Sequence, residues 1–199
     1  MENLSASIEN TRLKYRKIFK SCFEECLRKI DKMNSDEEVY QFIETYLKEA
    51  YVKRVKLLES KNKYKCACCA MCCKLACSEF SQQELLDKAN NGDRFAKQFI
   101  SVFVPYETKD AAKSVFPEYI NLLEKTHESD VYFYHCPKVT EDNKCGDYEN
   151  RPQICRDFPD NPLALLPKFC AYVKWKEEVQ EDALKLQALI EILNALRKK

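Results

Sequence analysis

Six of the twelve residues from Cys66 to Cys77 are cysteine, in the order Cys66-Ala-Cys68-Cys69-Ala-Met-Cys72-Cys73-Lys-Leu-Ala-Cys77. Cys66, Cys69 and Cys72 read as C-x2-C-x2-C, and Cys73 follows at once. Such steps let two thiolates reach one tetrahedral ion at about 2.3 Å, and they recur in chains that hold iron–sulfur clusters. Neighbouring Cys72 and Cys73 are harder to place on one ion. Their side chains diverge by about 100° on a helix, or point to opposite faces of a strand. The pair therefore points to a cluster or to two metal positions. The alternative is a set of buried thiols serving as small apolar residues.

A chain of 199 residues is long enough for one domain with a sizeable core, expected to span 1–199 without staples. A net charge of +1 with 33% charged residues argues against a nucleic-acid footprint. The opening residues carry glutamates and no apolar run, so no secretory signal is expected. No stretch of 18 apolar residues exists to span a membrane. The expected location is cytoplasmic, where dense cysteines are more often metal ligands than disulfides.

The remaining pattern is mostly helical. Residues 3–33 carry apolar positions at three- and four-residue steps, including Ile18, Phe19, Cys22, Cys26 and Ile30. Cys22 and Cys26 read as core, with metal binding the alternative. Ser35 with Glu38 forms a capping box for a second helix carrying Val39, Phe42, Ile43, Tyr46, Leu47 and Ala50. Residues 1–60 read as an antiparallel hairpin suited to packing or to a protein partner. Ser81 with Glu84 caps a short helix stopping at Asn91-Gly92. Asp93 caps the next, whose stripe is Phe95, Ala96, Phe99, Ile100 and Phe103. Further helix follows over 107–126, broken at Pro117. Only Val131–Tyr134 has strand character. From His135 to Pro167 the chain is irregular and Pro-rich, a length that suggests pinning by something other than hydrogen-bond ladders. A last helix is expected over 168–199, with Cys170 in its first turn. The expected class is mainly α, with a long irregular cysteine-rich metal-binding region and little or no β.

A second cysteine block completes the pattern: Cys136, then Cys145-Gly-Asp-Tyr148-Glu-Asn-Arg151-Pro152-Gln-Ile-Cys155-Arg156-Asp-Phe158-Pro159. With both blocks in view, residues 66–159 resemble the YkgJ-like, or CxxCxxCC, family of cysteine-cluster proteins, described as a zinc- or iron-chelating domain. That family carries C-x2-C-x2-C-C first and C-x-x-Y-x-x-R-P-x-x-C-R-x-F-P downstream. Here Ala70 stands where the family usually has glycine, and Cys68 and Cys77 are extra thiols. The resemblance implies metal chelation through Cys66, Cys69, Cys72, Cys73, Cys136, Cys145 and Cys155, with Cys170 or Cys77 available as an eighth thiol. Around them it implies Tyr148 and Phe158 as packing groups that limit solvent access. Arg151 and Arg156 would offset thiolate charge, an ordinary salt bridge to Asp147, Asp157 or Asp160 being the alternative. His135 abuts Cys136 and is a further candidate ligand.

Other chemistries find little footing. Two glycines in the chain leave no phosphate-cradling loop. A cysteine protease would pair a thiol with His127 or His135, and no spacing singles one out. Two readings remain. One is a metal- or cluster-binding protein for electron transfer, metal handling or structure. The other is a cluster-dependent enzyme modifying protein side chains, by distant resemblance to bacterial flagellin lysine-N-methylases. Thiolate-only ligands suit iron–sulfur clusters and zinc. The scattered second block and the thiol surplus favour an iron–sulfur cluster, such as 4Fe–4S, with zinc as the alternative.

Overall fold

The computed structural model describes residues 4–126, 131–164 and 166–198; His127 lies outside them. Among the described residues the protein is mainly helical, with 64% helix and 6% strand. The helices are α1 (Leu4–Ile30), α2 (Asp36–Glu59), α3 (Met71–Lys74), α4 (Gln82–Asn90), α5 (Arg94–Val102), α6 (Lys109–Val115), α7 (Pro117–Thr126), α8 (Gln153–Asp157) and α9 (Val173–Arg197). The strands are β1 (Ala76–Ser78), β2 (Val104–Pro105) and β3 (Tyr132–His135). No helix among these residues is long and apolar enough to cross a membrane. The chain divides into two compact units: residues 66–159, and residues 1–65 with 160–199.

In the discontinuous helical unit, α1 and α2 are not principally each other's partners. Both pack on α9. Cys26 from α1 and Ile43, Leu47 and Ala50 from α2 are buried with Ile190, Ile192 and Leu193 of α9. Cys22 packs against this cluster, so both α1 cysteines are core residues. Helix α9 can serve two partners because its apolar positions form more than one row. Leu184, Ala188 and Ile192 recur at four-residue steps, beside Leu186, Ile190 and Leu193. Trp175 is fully buried, and its indole N–H donates to Ser60 Oγ at 2.9 Å. The α2 cap differs slightly from the expected box. Ser35 Oγ accepts from the Glu38 N–H, but Glu38 Oε2 accepts from the N–H of Asn34, one residue earlier. Helix α9 also starts later than its stripe suggests. A turn comes first, in which the Cys170 N–H bonds to Pro167 O at 2.9 Å and the Val173 N–H to Cys170 O at 3.0 Å. Cys170 therefore precedes the helix.

The unit 66–159 is built around β3. Its sheet has the order β1-β3-β2, antiparallel throughout, with Ala76 opposite Tyr134 and Val104 opposite His135. Alternation along β3 sends Phe133 and Tyr134 into separate cores. Phe133 is buried with Leu75, Ala112, Ile120 and Leu123, and Tyr134 with Leu85, Ala89, Ala96 and Phe99. Tyr134 meets Phe99 edge-on at 5.0 Å, and its hydroxyl donates to Phe80 O at 2.8 Å. The Ser81–Glu84 box and the Asp93 cap form as the sequence predicts, and Pro117 opens α7. Phe95 departs from its predicted stripe and is exposed.

Candidate functional site

The sheet brings the two cysteine blocks together. Helix α3 carries Cys72 and Cys73 and leads directly into β1, while β3 ends at His135 and leads into Cys136. Just beyond the paired strands, and one residue off their register, the Cys136 N–H donates to the carbonyl of Cys73 in α3 at 2.7 Å. His135 itself packs against Tyr106, with ring centroids 4.7 Å apart and the rings tilted by 45°.

Local backbone shape then places the other thiols. Cys68 and Ala70 both adopt left-handed conformations, with φ of 53° and 57°. The tight turn expected of a glycine at Ala70 is thus made by alanine, at a cost of roughly 1–2 kcal/mol. Beyond Cys136 the chain doubles back. Val139 and Cys145 form an antiparallel bridge, and the Gly146 N–H bonds to Lys138 O at 2.8 Å. A β-carbon on Gly146 would lie 3.0 Å from that carbonyl, so glycine permits the close return beside Cys145. Helix α8 carries Cys155 and is anchored to α5, because the Ile154 N–H bonds to Gln98 Oε1 at 3.0 Å.

The sulfurs of Cys72 and Cys73 lie 3.9 Å apart. The Cys72 thiol is raised by its contact with Cys73, by burial and by the charges of Cys73, Cys66 and Cys69. Cys73 is held down to about 7 by that contact, against the effect of burial, with help from Arg151. Burial, then Cys73, Cys136 and Cys145, push Cys155 up to about 11. Burial likewise raises Cys136, with Cys73 and Cys145 adding to the shift. Cys68, although exposed, is raised by partial desolvation and by Cys66.

The two arginines do different work. Arg151 stacks on the ring of Tyr148 at 3.7 Å, and its charge lowers Cys73, Cys68 and Cys155. Arg156 staples the loop, donating from Nε to Arg151 O and from a terminal nitrogen to Glu149 O, both at 2.7 Å. Among the described residues neither guanidinium pairs with a carboxylate: Asp147 pairs with Lys138 instead. Tyr148 is partly exposed as the platform for Arg151, and Phe158 is half-buried at the end of α8. Cys170 belongs to the helical unit, and Cys77 lies on β1 with its sulfur 4.0 Å from the Tyr119 hydroxyl. The sequence did not single out Tyr106, whose hydroxyl accepts no role in the cysteine motifs but donates to Lys74 O, securing the chain just after Cys73.

Among the described residues no three His, Cys, Asp or Glu side chains converge as ligands of one ion. The thiols are neighbours on a pinned backbone without forming a closed cage. In kind they fit a thiolate-bound metal group: the donors are all sulfur, and Arg151 supplies a counter-charge. Comparison with protein-family models, curated proteins and solved structures found no match to this chain.

Proposed function

We propose that this is a cysteine-cluster metal-binding protein, using thiolates from both blocks to hold an iron–sulfur cluster in preference to zinc. The observation that supports the reading is the Cys136 N–H to Cys73 O bond, which ties the start of the second block to the first beside the β1–β3 pair. Cys66, Cys69, Cys72, Cys73, Cys136, Cys145 and Cys155 are the ligand candidates. This also agrees with the resemblance of residues 66–159 to the CxxCxxCC family. Such a cluster would supply one-electron chemistry, or a store of bound metal. The protein's own part is to gather the sulfurs, shelter them beside the β3 cores and set Arg151 close to their charge, which tunes a thiolate-bound centre.

Anaerobic purification followed by iron, zinc and acid-labile sulfide analysis tests this. The expected protein is brown, with broad absorption that bleaches under dithionite. Colourless protein carrying stoichiometric zinc and no sulfide, even when iron is supplied, overturns the cluster. Protein that takes up no thiolate-bound metal at all overturns the whole reading.

A further inference from the structure

Resting on that thiolate reading, we infer that the thiols divide at the Cys72–Cys73 peptide into two four-sulfur groups, Cys66/Cys68/Cys69/Cys72 and Cys73/Cys136/Cys145/Cys155. Each group has the sulfur count of one metal centre, either a four-iron cluster or a tetrahedral ion.

The backbone draws the division. Cys72 and Cys73 are successive residues of α3, so their side chains leave the helix about 100° apart. Their sulfurs still touch at 3.9 Å, which sets the two groups side by side. On the Cys73 side, the Cys136 N–H is bonded to the Cys73 carbonyl, and the Val139–Cys145 bridge returns Cys145 toward Cys136. Helix α8 then presents Cys155, on which Cys73, Cys136 and Cys145 all act. On the Cys72 side, the left-handed residues Cys68 and Ala70 curl the chain back on itself. The Cys68 N–H donates to Cys66 Sγ at 3.4 Å. Cys66 and Cys69 each act on both Cys68 and Cys72, while Cys73 acts on Cys72 across the division.

This assignment makes Cys68 the eighth thiol, in place of Cys170 or Cys77. It also makes the two centres unequal. Cys68 is exposed whereas every member of the second group is half-buried, so the first centre is the one open to chelators and oxidants.

Cobalt(II) titration of the reduced, metal-free full-length chain tests the division, because each tetrahedral thiolate site takes one ion and reports through sulfur-to-cobalt absorption. Wild type should bind two equivalents. Cys66→Ser or Cys155→Ser should each leave one. The within-group double Cys145→Ser/Cys155→Ser should also leave one, and the cross-group double Cys66→Ser/Cys155→Ser none. Cys68→Ser should cost one equivalent and Cys170→Ser none. Comparing the two doubles controls for general loss of folding, since each removes two thiols. A single equivalent in wild type, abolished by a variant in either group, overturns the division while leaving the thiolate reading standing. So does a loss with Cys170→Ser but not with Cys68→Ser. Absence of any tight cobalt site in wild type overturns both.

Discussion

Arg156 donates from Nε to the backbone carbonyl of Arg151 at 2.7 Å, so one guanidinium fixes the loop from which the other reaches the thiols. The second bond from Arg156, to Glu149 O, leaves the same fork in a different direction. Lysine keeps the charge but has no planar fork, so it cannot reproduce both bonds. Arg156→Lys should therefore lower stability by about 1 kcal/mol, the surface position keeping the loss small. It should also speed proteinase K cleavage between residues 137 and 152. Unchanged cleavage would mean that the loop is held by its other contacts.

Cys73 is the thiol that pH should reveal. Its thiolate forms as pH rises through about 7, so iodoacetamide should alkylate one thiol of the metal-free chain with that midpoint. Arg151→Gln and Cys72→Ala each remove a lowering influence, and both should move the midpoint upward. A midpoint that stays put in both variants would contradict the assignment.

Cys73 and Cys155 contribute opposite pH dependences to the stability of the metal-free chain. Cys73 ionises in the folded state below its ordinary 9.0, so its contribution is complete above 9.0 and is lost as pH falls through about 7. Cys155 has the opposite sign: its contribution is complete below 9.0 and is lost as pH climbs through about 11. Denaturant midpoints should thus rise from pH 7 to 9 and fall beyond. Cys155→Ala should flatten the alkaline fall; an equally steep fall in that variant would count against the Cys155 shift.

Ala70 is both buried and left-handed. Glycine would relieve roughly 1–2 kcal/mol of strain. It would also give up about 0.8 kcal/mol of methyl burial and add about 0.4–1 kcal/mol of unfolded-state freedom. These offset, so Ala70→Gly should change stability by less than about 1 kcal/mol in either direction. Ala70→Val adds branching where φ is positive and should cost more than about 2 kcal/mol. Equal costs for the two substitutions, read from urea unfolding, would show that the turn is not conformationally constrained.

Leu193 is fully buried in the helical unit, among residues of α1, α2 and α9. Leu193→Ala should cost about 2–5 kcal/mol, while folded protein keeps its metal equivalents. A proportional loss of metal from protein that is still folded would place a ligand in that unit and reopen the case for Cys170.

Local signals were readable where their partners lie a few residues apart. The Ser81–Glu84 box and the Asp93 cap each close within three residues, and Pro117 acts on its own turn of helix. Strands β1 and β2 were not readable. They are three and two residues long and exist because β3 pairs with them from tens of residues away. Helix α9 was legible as a helix, but its second apolar row was not, so α1 and α2 read as partners of each other. At the site, the cysteine spacing identified the candidate thiols. Which sulfur faces which depends on the ladder and on two left-handed residues that no spacing announces. The arginines read alike in sequence, and only the loop's carbonyls separate the staple from the counter-charge.

Residues 66–159 interrupt a helical unit whose two chain segments end at Lys65 and resume at Asp160. To assemble α9 with α1 and α2, an unfolded chain must close a loop of 94 residues, counting from 66 through 159. Every halving of the freely moving length lowers that closure cost by about 0.6 kcal/mol. An insert already ordered, by its own cores or by a group held on its sulfurs, leaves only short free ends to close. Three halvings correspond to roughly 2 kcal/mol. The helices can thus gain stability from what the thiols bind without contributing a ligand, because the binding shortens the entropic path between their two halves.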